Sequence, residues 1–382
     1  MGNPGTGKST LMMHNVTYCE KEFKDHIICT HFFSARGDSD EKSPLGLWRS
    51  IIYQMLDKER LLYDRLIPIF RKKPSKVWTE DELRLFLLSE MESPQPKPFL
   101  FLIDALDECD EYSAGRVVNF LEDLSSIAVK NNVTLNICLS SRYYPEIGFN
   151  KCVYLLLDQK REHDEDIARY VRDKASSDLS SIQEDIIKKA RGVFLWVVLV
   201  LAMLRKKRNA GRLDEIKDVV DRAPSGLDEL FQDILNKDES NRAETILMFQ
   251  LVLFANRLLA PEELYFATIA GTQQERLGPW DQSTITEETI RLRIRDSSRG
   301  LIEVLEASNT VQFIHLSVND FLSRKNRLRN IAIPPPTEKD SSSGLGKKSV
   351  SVPLKFSVKL LETFLTIGPE MSLQNPLVGG LG

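Results

Sequence analysis

Residues Gly2 to Ser9 read G-N-P-G-T-G-K-S, a run able to do chemistry on a polyphosphate. It fits the spacing G-x-x-x-x-G-K-[ST]. Gly2, Gly5 and Gly7 let the backbone turn tightly enough for successive amide N–H groups to face phosphate oxygens. Asn3, Pro4 and Thr6 fill out the cradle. The Lys8 ammonium reaches the β- and γ-phosphates, and the Ser9 hydroxyl is a ligand for Mg²⁺. Thr10 follows in the first turn of a helix expected from Ser9 to Lys21, whose N-terminal partial positive charge favours an anion. The plainer alternative is a Gly-rich turn ahead of a helix.

A second group of reactive residues ends an apolar run. Phe99 to Ile103 is continuously hydrophobic, as in a strand buried on both faces of a parallel sheet, and it stops at Asp104-Ala105-Leu106-Asp107-Glu108. A carboxylate at the C-terminal end of such a strand lies where α/β sheets bind ligands. Asp104 is then placed to hold Mg²⁺ through water, and Asp107 or Glu108 to orient or deprotonate an attacking water. A capping acid at a strand end explains one of these carboxylates but not three in a short stretch. A further strand, Thr134 to Leu139, ends in Ser140-Ser141-Arg142. Arg142 is placed to sense or stabilise a γ-phosphate, unless it is a surface arginine in a loop.

These groups need a scaffold, and the pattern around them supplies one. His26 to Ser34 reads as a strand and the region of Leu45 to Leu56 as a helix, so strands alternate with helices in an α/β parallel sheet. From about Asp158 to Leu235 the apolar spacing is helical, with Ile167, Tyr170 and Val171 on one face and Ile182, Ile186, Ile187 and Ala190 on another. Ser225 is the expected N-cap of the helix carrying Asp228 and Glu229. Helices continue through Ile246–Phe254 and Pro261–Leu264. Leu301–Leu305 and Thr310–His315 then read as two short strands around a turn. Helices followed by such a pair suggest a winged-helix domain.

The chain has 382 residues, 42% hydrophobic and 28% charged, which suits a soluble protein of two or three domains. A net charge of −4 argues against a general nucleic-acid binder, and the run Arg205 to Arg208 reads as a solvated helix end. Five scattered cysteines without a CxxC pair are expected as reduced thiols in an intracellular, cytoplasmic setting. The longest apolar run, Val193 to Leu204, falls short of the roughly 20 residues of a membrane span. A buried helix is expected there, and no membrane partner.

Taken together, these motifs resemble a NACHT-type NTPase of the STAND class, similar to the nephrocystin-like subgroup common in filamentous fungi. Beyond the two nucleotide motifs, the likeness rests on Phe32–Gly37, Gly192–Val197, Pro224–Leu230 and Phe313–Leu322. The resemblance implies a P-loop NTPase domain over residues 1–158, a helical domain over 159–235 and a winged-helix-like domain over 236–330. It also implies adenine nucleotides with Mg²⁺, self-association and a protein effector. His315 is implied to contact the β-phosphate of ADP in a closed, inactive form. A hydrogen-bonded histidine at a strand end is the alternative.

Two features depart from the family. Only Met1 precedes Gly2, so the strand that normally runs into the loop is missing and an N-terminal truncation is expected. That strand is expected at the centre of the sheet, between the strands ending in Asp104 and in Ser140-Ser141-Arg142, where its loss would leave ladder groups unpaired. From Ile333 to Gly382 the chain turns Ser-, Gly- and Pro-rich without repeats; residues 331–382 are expected as a low-complexity tail with one short helix at Val358–Ile367. The expected function is an ATP/ADP switch reset by slow hydrolysis. The alternatives are a nonfunctional or scaffolding fragment of a larger NACHT protein, or a P-loop NTPase acting on a separate substrate.

Overall fold

The computed structural model describes residues 1–324 and 327, apart from 36, 73–76, 94–96, 110, 144–147, 149–151, 176, 237–240, 274–279 and 307. Arg36, the tail from residue 331 and the helix expected at Val358–Ile367 lie outside the described residues. The chain forms two compact units, one spanning Met1–Ser225 and a second beginning at Gly226.

The first unit is built on a three-stranded parallel sheet of β1 (Ile27–Phe32), β2 (Phe99–Asp104) and β3 (Leu135–Leu139), in the order β1-β2-β3. Helix α1 (Lys8–Glu22) leads into β1. Helices α2 (Ser39–Lys42), α3 (Pro44–Lys58), α4 (Arg60–Lys72) and α5 (Glu80–Met91) separate β1 from β2, and α6 (Glu111–Lys130) separates β2 from β3. Side-chain alternation assigns the faces. Phe99, Phe101 and Ile103 join Leu47, Trp48, Ile51 and Phe120 in the main core. Leu100 and Leu102 turn the other way, onto Met12, Val16 and Cys19 of α1. Asp104 continues this second set, so the fold sends it to the side of the loop that begins α1.

Local chemistry sets the elements. Ser43 caps α3 through the amide of Gly46, with Pro44 in the first turn. Thr79 and Glu82 form a capping box on α5. The outer edge of β1 is covered by side chains of α3. Gln54 accepts from the Thr30 amide at 2.9 Å and donates to the Thr30 carbonyl at 2.8 Å, and Lys58 donates to the Ile28 carbonyl.

The sheet leaves no place between β2 and β3 for the strand expected there. β2 pairs directly with β3 from Phe99↔Leu135 to Ile103↔Leu139, so no gap lies between them and no ladder groups are orphaned there. Met1 instead pairs elsewhere: its amino group donates to the Leu155 carbonyl at 2.6 Å, and the Leu157 amide donates back to the Met1 carbonyl at 2.8 Å. This exchange is that of a parallel bridge. The neighbouring Val153 is 99% exposed and Tyr154 and Leu155 are half-exposed.

The unit continues with α7 (Arg161–Lys174), α8 (Gln183–Ala190), α9 (Phe194–Asn209) and α10 (Ile216–Arg222). The apolar run becomes α9, with Trp196, Val197, Val200 and Leu204 buried. Among the described residues no helix is long and apolar enough to cross a membrane. Trp196 Nε1 donates to the Pro224 carbonyl at 2.6 Å, joining two stretches that look unrelated in sequence. All five cysteines are free thiols.

The second unit holds α11 (Leu227–Asn236), α12 (Arg242–Phe254), α13 (Pro261–Thr272), α14 (Glu287–Ser297), an antiparallel pair β4 (Ile302–Leu305) and β5 (Thr310–Phe313), and α15 (Leu316–Ser323). Leu259, between α12 and α13, bridges Val311 and adds a third strand position. The core gathers Phe249, Leu264, Ile290, Ile294, Phe313 and Phe321. The expected cap Ser225 lies one residue too early. The first bond of α11 runs from the Leu230 amide to the Gly226 carbonyl, so Gly226 holds the cap position.

Candidate functional site

The loop Gly2–Gly7 closes on itself before α1 begins. Gly5 and Gly7 take φ of +77° and +89°, a region costly for residues with a Cβ. A Cβ on Gly2 would stand 2.9 Å from the Thr6 hydroxyl. Thr6, itself buried, donates through its amide and its hydroxyl to the Asn3 carbonyl. Helix α1 starts from Gly7 without a side-chain cap and without an acid in its first turn, so its own first turn supplies no partner for its N-terminal positive end. The Lys8 ammonium folds back over the loop, donating to the carbonyls of Gly2 at 2.9 Å and Asn3 at 3.0 Å. Burial lowers its pKa and nearby Arg142 adds to this, while Asp107, Asp104 and Asp158 act in the opposite direction. Ser9 and Thr10 are exposed on the first turn.

The ends of β2 and β3 meet beside this loop. Asp104 is 2% exposed and accepts a short hydrogen bond from the Ser140 hydroxyl. That hydroxyl also accepts from the Ala105 amide at 3.1 Å, and the Leu106 amide donates to the Ser140 carbonyl. Ala105 sits at φ +54°, a strained value that a small residue tolerates, and it turns the chain into the short 3₁₀ segment Leu106–Glu108. The turn brings Asp107 against Arg142. The Arg142 amide donates to Oδ1 at 2.9 Å, and its Nε lies 2.9 Å from Oδ2. Glu108 points elsewhere, accepting from the Ala35 amide at 2.9 Å. Ser141 is 1% exposed, and its hydroxyl has no hydrogen-bond partner among the described residues.

Several residues of the site were not expected there: Asp158, Tyr143 and His163 carried no assigned role, and the motif Gly192–Val197 was known only as a family-like run. Asp158 follows the apolar stretch 153–157 and accepts from Asn3 Nδ2 at 2.6 Å and, through a short bond, from the Tyr143 hydroxyl. Burial and Asp158 push the Tyr143 phenol up to about 12. Helix α9 covers the loop: the Leu195 amide donates to the Gly5 carbonyl at 3.0 Å, and a Cβ on Gly7 would meet Phe194 at 3.5 Å. His163 supports this lid, bonding the Gly192 carbonyl at 2.8 Å and meeting the Phe194 ring edge-on. An acid after an apolar run was the one available clue to Asp158.

The first unit thus gathers Gly2 to Ser9, Asp104, Asp107 and Arg142 about one loop, with Glu108 turned toward Ala35. His315 belongs to the second unit. There it caps α15, its Nδ1 accepting from the Ser317 amide at 3.0 Å and lying 2.8 Å from the Ser317 hydroxyl.

The family described as nephrocystin 3, N-terminal, matches residues 1–142, the stretch that contains the loop and all three strands of the sheet. Over that part the chain is similar to the nephrocystin family and carries the small parallel sheet; a largely helical remainder follows. No curated protein matches the chain.

Proposed function

We propose that the chain is an ATP/ADP-binding signalling switch of the NACHT/STAND class, reset by slow Mg²⁺-dependent hydrolysis. One observation carries the reading: an uncapped helix N-terminus preceded by a glycine loop, with Lys8 folded over it and Asp104, Asp107 and Arg142 beside it. The residues fit a polyphosphate. The first turn of α1 has no side-chain cap and no acid of its own, and among the described residues Lys8 donates to backbone carbonyls and the buried Ser141 hydroxyl lacks a partner. Gly2 to Thr10 would hold the phosphates, with Ser9 and Asp104 available to Mg²⁺, which supplies charge neutralisation at the β- and γ-oxygens. Asp107 or Glu108 would orient water, and Arg142 would read the terminal phosphate.

The remainder of the reading concerns the switch. The second unit, in which helices α12, α13 and α14 precede a β4–β5 hairpin bridged by Leu259, supports a winged-helix assignment. His315 would contact the β-phosphate of ADP in the closed form and give up its cap contact to do so. Opening on exchange for ATP would permit self-association and contact with a protein effector in the cytoplasm. Such a switch requires the two nucleotides to differ in affinity for its two states.

The test is the nucleotide content of the purified chain. Denaturing the protein and counting the released nucleotide by chromatography is expected to give near-stoichiometric ADP in the wild type and none in Lys8→Ala. A wild type that folds but carries no nucleotide, and takes none up when ADP or ATP is added, would overturn the switch and favour a scaffolding role.

A further inference from the structure

Asp107 and Arg142 cannot both perform the roles their positions suggest while they hold each other. Two points of Arg142, its amide and its Nε, are fixed on the two carboxylate oxygens of Asp107. The Asp107 side chain is 6% exposed and that of Arg142 is 18% exposed, so solvent screens the pair little. A carboxylate occupied in this way is a poor acceptor for a water proton. A guanidinium neutralised in this way is a weak reader of an added phosphate charge. The left-handed turn at Ala105 and the Leu106–Ser140 backbone bond fix the geometry, so the pairing is built into the ends of β2 and β3.

The geometry points to Asp107 as a specificity-determining residue that sets the preference between nucleoside diphosphate and triphosphate by acting as the counter-charge of Arg142. This inference rests on the nucleotide-binding reading and deepens it. With Asp107 ionised, the positive charge that a γ-phosphate would meet is partly cancelled, and the site favours the diphosphate. A triphosphate must draw the guanidinium away from Asp107, and the free energy of that exchange is the discrimination. Lys8 lies within electrostatic range of both partners, so the same carboxylate tunes the field on the loop cation. In setting this preference Asp107 acts through Arg142, as a positioning residue.

The test uses binding alone, so hydrolysis does not enter it. Fluorescent ADP and a fluorescent non-hydrolysable ATP analogue are titrated with Mg²⁺ into the full chain and into Asp107→Asn, Arg142→Ala and the double variant. Asn keeps a hydrogen-bond acceptor at residue 107 and removes only the charge. Asp107→Asn is expected to raise the triphosphate-to-diphosphate affinity ratio about tenfold, the scale of one charge removed at short range in a partly buried site. Arg142→Ala is expected to lower that ratio, and in the Arg142→Ala background Asp107→Asn is expected to raise it much less than in the wild type. A merely structural role would lower the melting midpoint and leave the ratio alone. An unchanged ratio in Asp107→Asn, or the same rise without Arg142, overturns the inference while nucleotide binding stands. A folded wild type that binds neither nucleotide overturns both.

Discussion

Two buried arginine–carboxylate pairs, one in each unit, use the same chemistry to different ends. In the second unit, Glu244 of α12 is met by a fork from Arg293 of α14, at 2.7 Å to Oε1 and 2.5 Å to Oε2, and the Ser297 hydroxyl adds a third donor at 2.6 Å. Thr245 closes the group by donating to the Ser297 carbonyl at 2.7 Å. This cluster joins two helices along their packed faces, and Glu244 holds the Arg293 guanidinium in its charged form. In the first unit, the Asp107–Arg142 pair stands at the carboxyl ends of two parallel strands, beside a glycine loop, a folded-back lysine and a buried hydroxyl without a partner. A buried pair whose lone pairs are taken up by neighbouring donors is architecture. One set among incompletely satisfied groups at a strand end is placed to exchange its partners for a ligand.

The comparison breaks most visibly at Glu244. Removing one partner of a buried pair leaves the other without compensation, at a cost of about 3–5 kcal/mol. Because the Arg293 side chain is 34% exposed, Glu244→Ala is expected near the low end, about 3 kcal/mol. Amide hydrogen exchange in α12 and α14 should speed up accordingly, and nucleotide content should not change. Loss of bound nucleotide in a Glu244→Ala protein that is still folded would give this cluster a functional role and erase the contrast with Asp107.

A second test of the architecture uses pH. His31 on β1 is 7% exposed, its Nε2 has no hydrogen-bond partner among the described residues, and its ring packs edge-on against Phe33 at 4.6 Å. Burial lowers its pKa to about 4, with Asp40 acting weakly the other way. The unfolded chain takes up this proton near pH 6.5 and the folded chain only near pH 4. Protons therefore favour unfolding across that window, and the stability is intact above it and lost as pH falls. The full effect is about 3 kcal/mol. Denaturant midpoints measured from pH 7 to pH 4 should fall in the wild type and fall less in His31→Leu. Equal slopes would remove His31 from the account.

Much of this was legible in the sequence because it is local. Helix α1 was expected from Ser9 to Lys21 and runs from Lys8 to Glu22. The direction of Asp104 follows from strand alternation counted back through Leu102 and Leu100. The contacts that define the site are not local. Ser140 meets Asp104 across 36 residues, and Asn3 meets Asp158 across 155. No periodicity encodes such pairs, because they depend on which strands become neighbours. The same ignorance misplaced the strand expected before the loop: apolar runs identify β2 and β3 but do not reveal that they pair directly. At Ser225 the error was of another kind, since a good capping residue stands next to a glycine that caps instead.

The smallest expected effect concerns an ion pair that lies outside both buried clusters. Asp228 of α11 accepts a short bond from Arg324, and Arg327 approaches it at 3.2 Å with its guanidinium 4.4 Å from the Phe321 ring centre. The Arg324 side chain is 59% exposed, so water already solvates it and salt screens its charge. Arg324→Ala is expected to cost less than about 0.5 kcal/mol, and less again at high salt. Arg327→Ala should cost somewhat more, because its stem and guanidinium cover the buried Phe321. Thermal melts at low and high ionic strength would order the three variants as Glu244→Ala, Arg327→Ala, Arg324→Ala. If Arg324→Ala were as damaging as Glu244→Ala, burial would not be what separates structural pairs from incidental ones. The distinction drawn between Glu244 and Asp107 would then need another basis than the completeness of their surroundings.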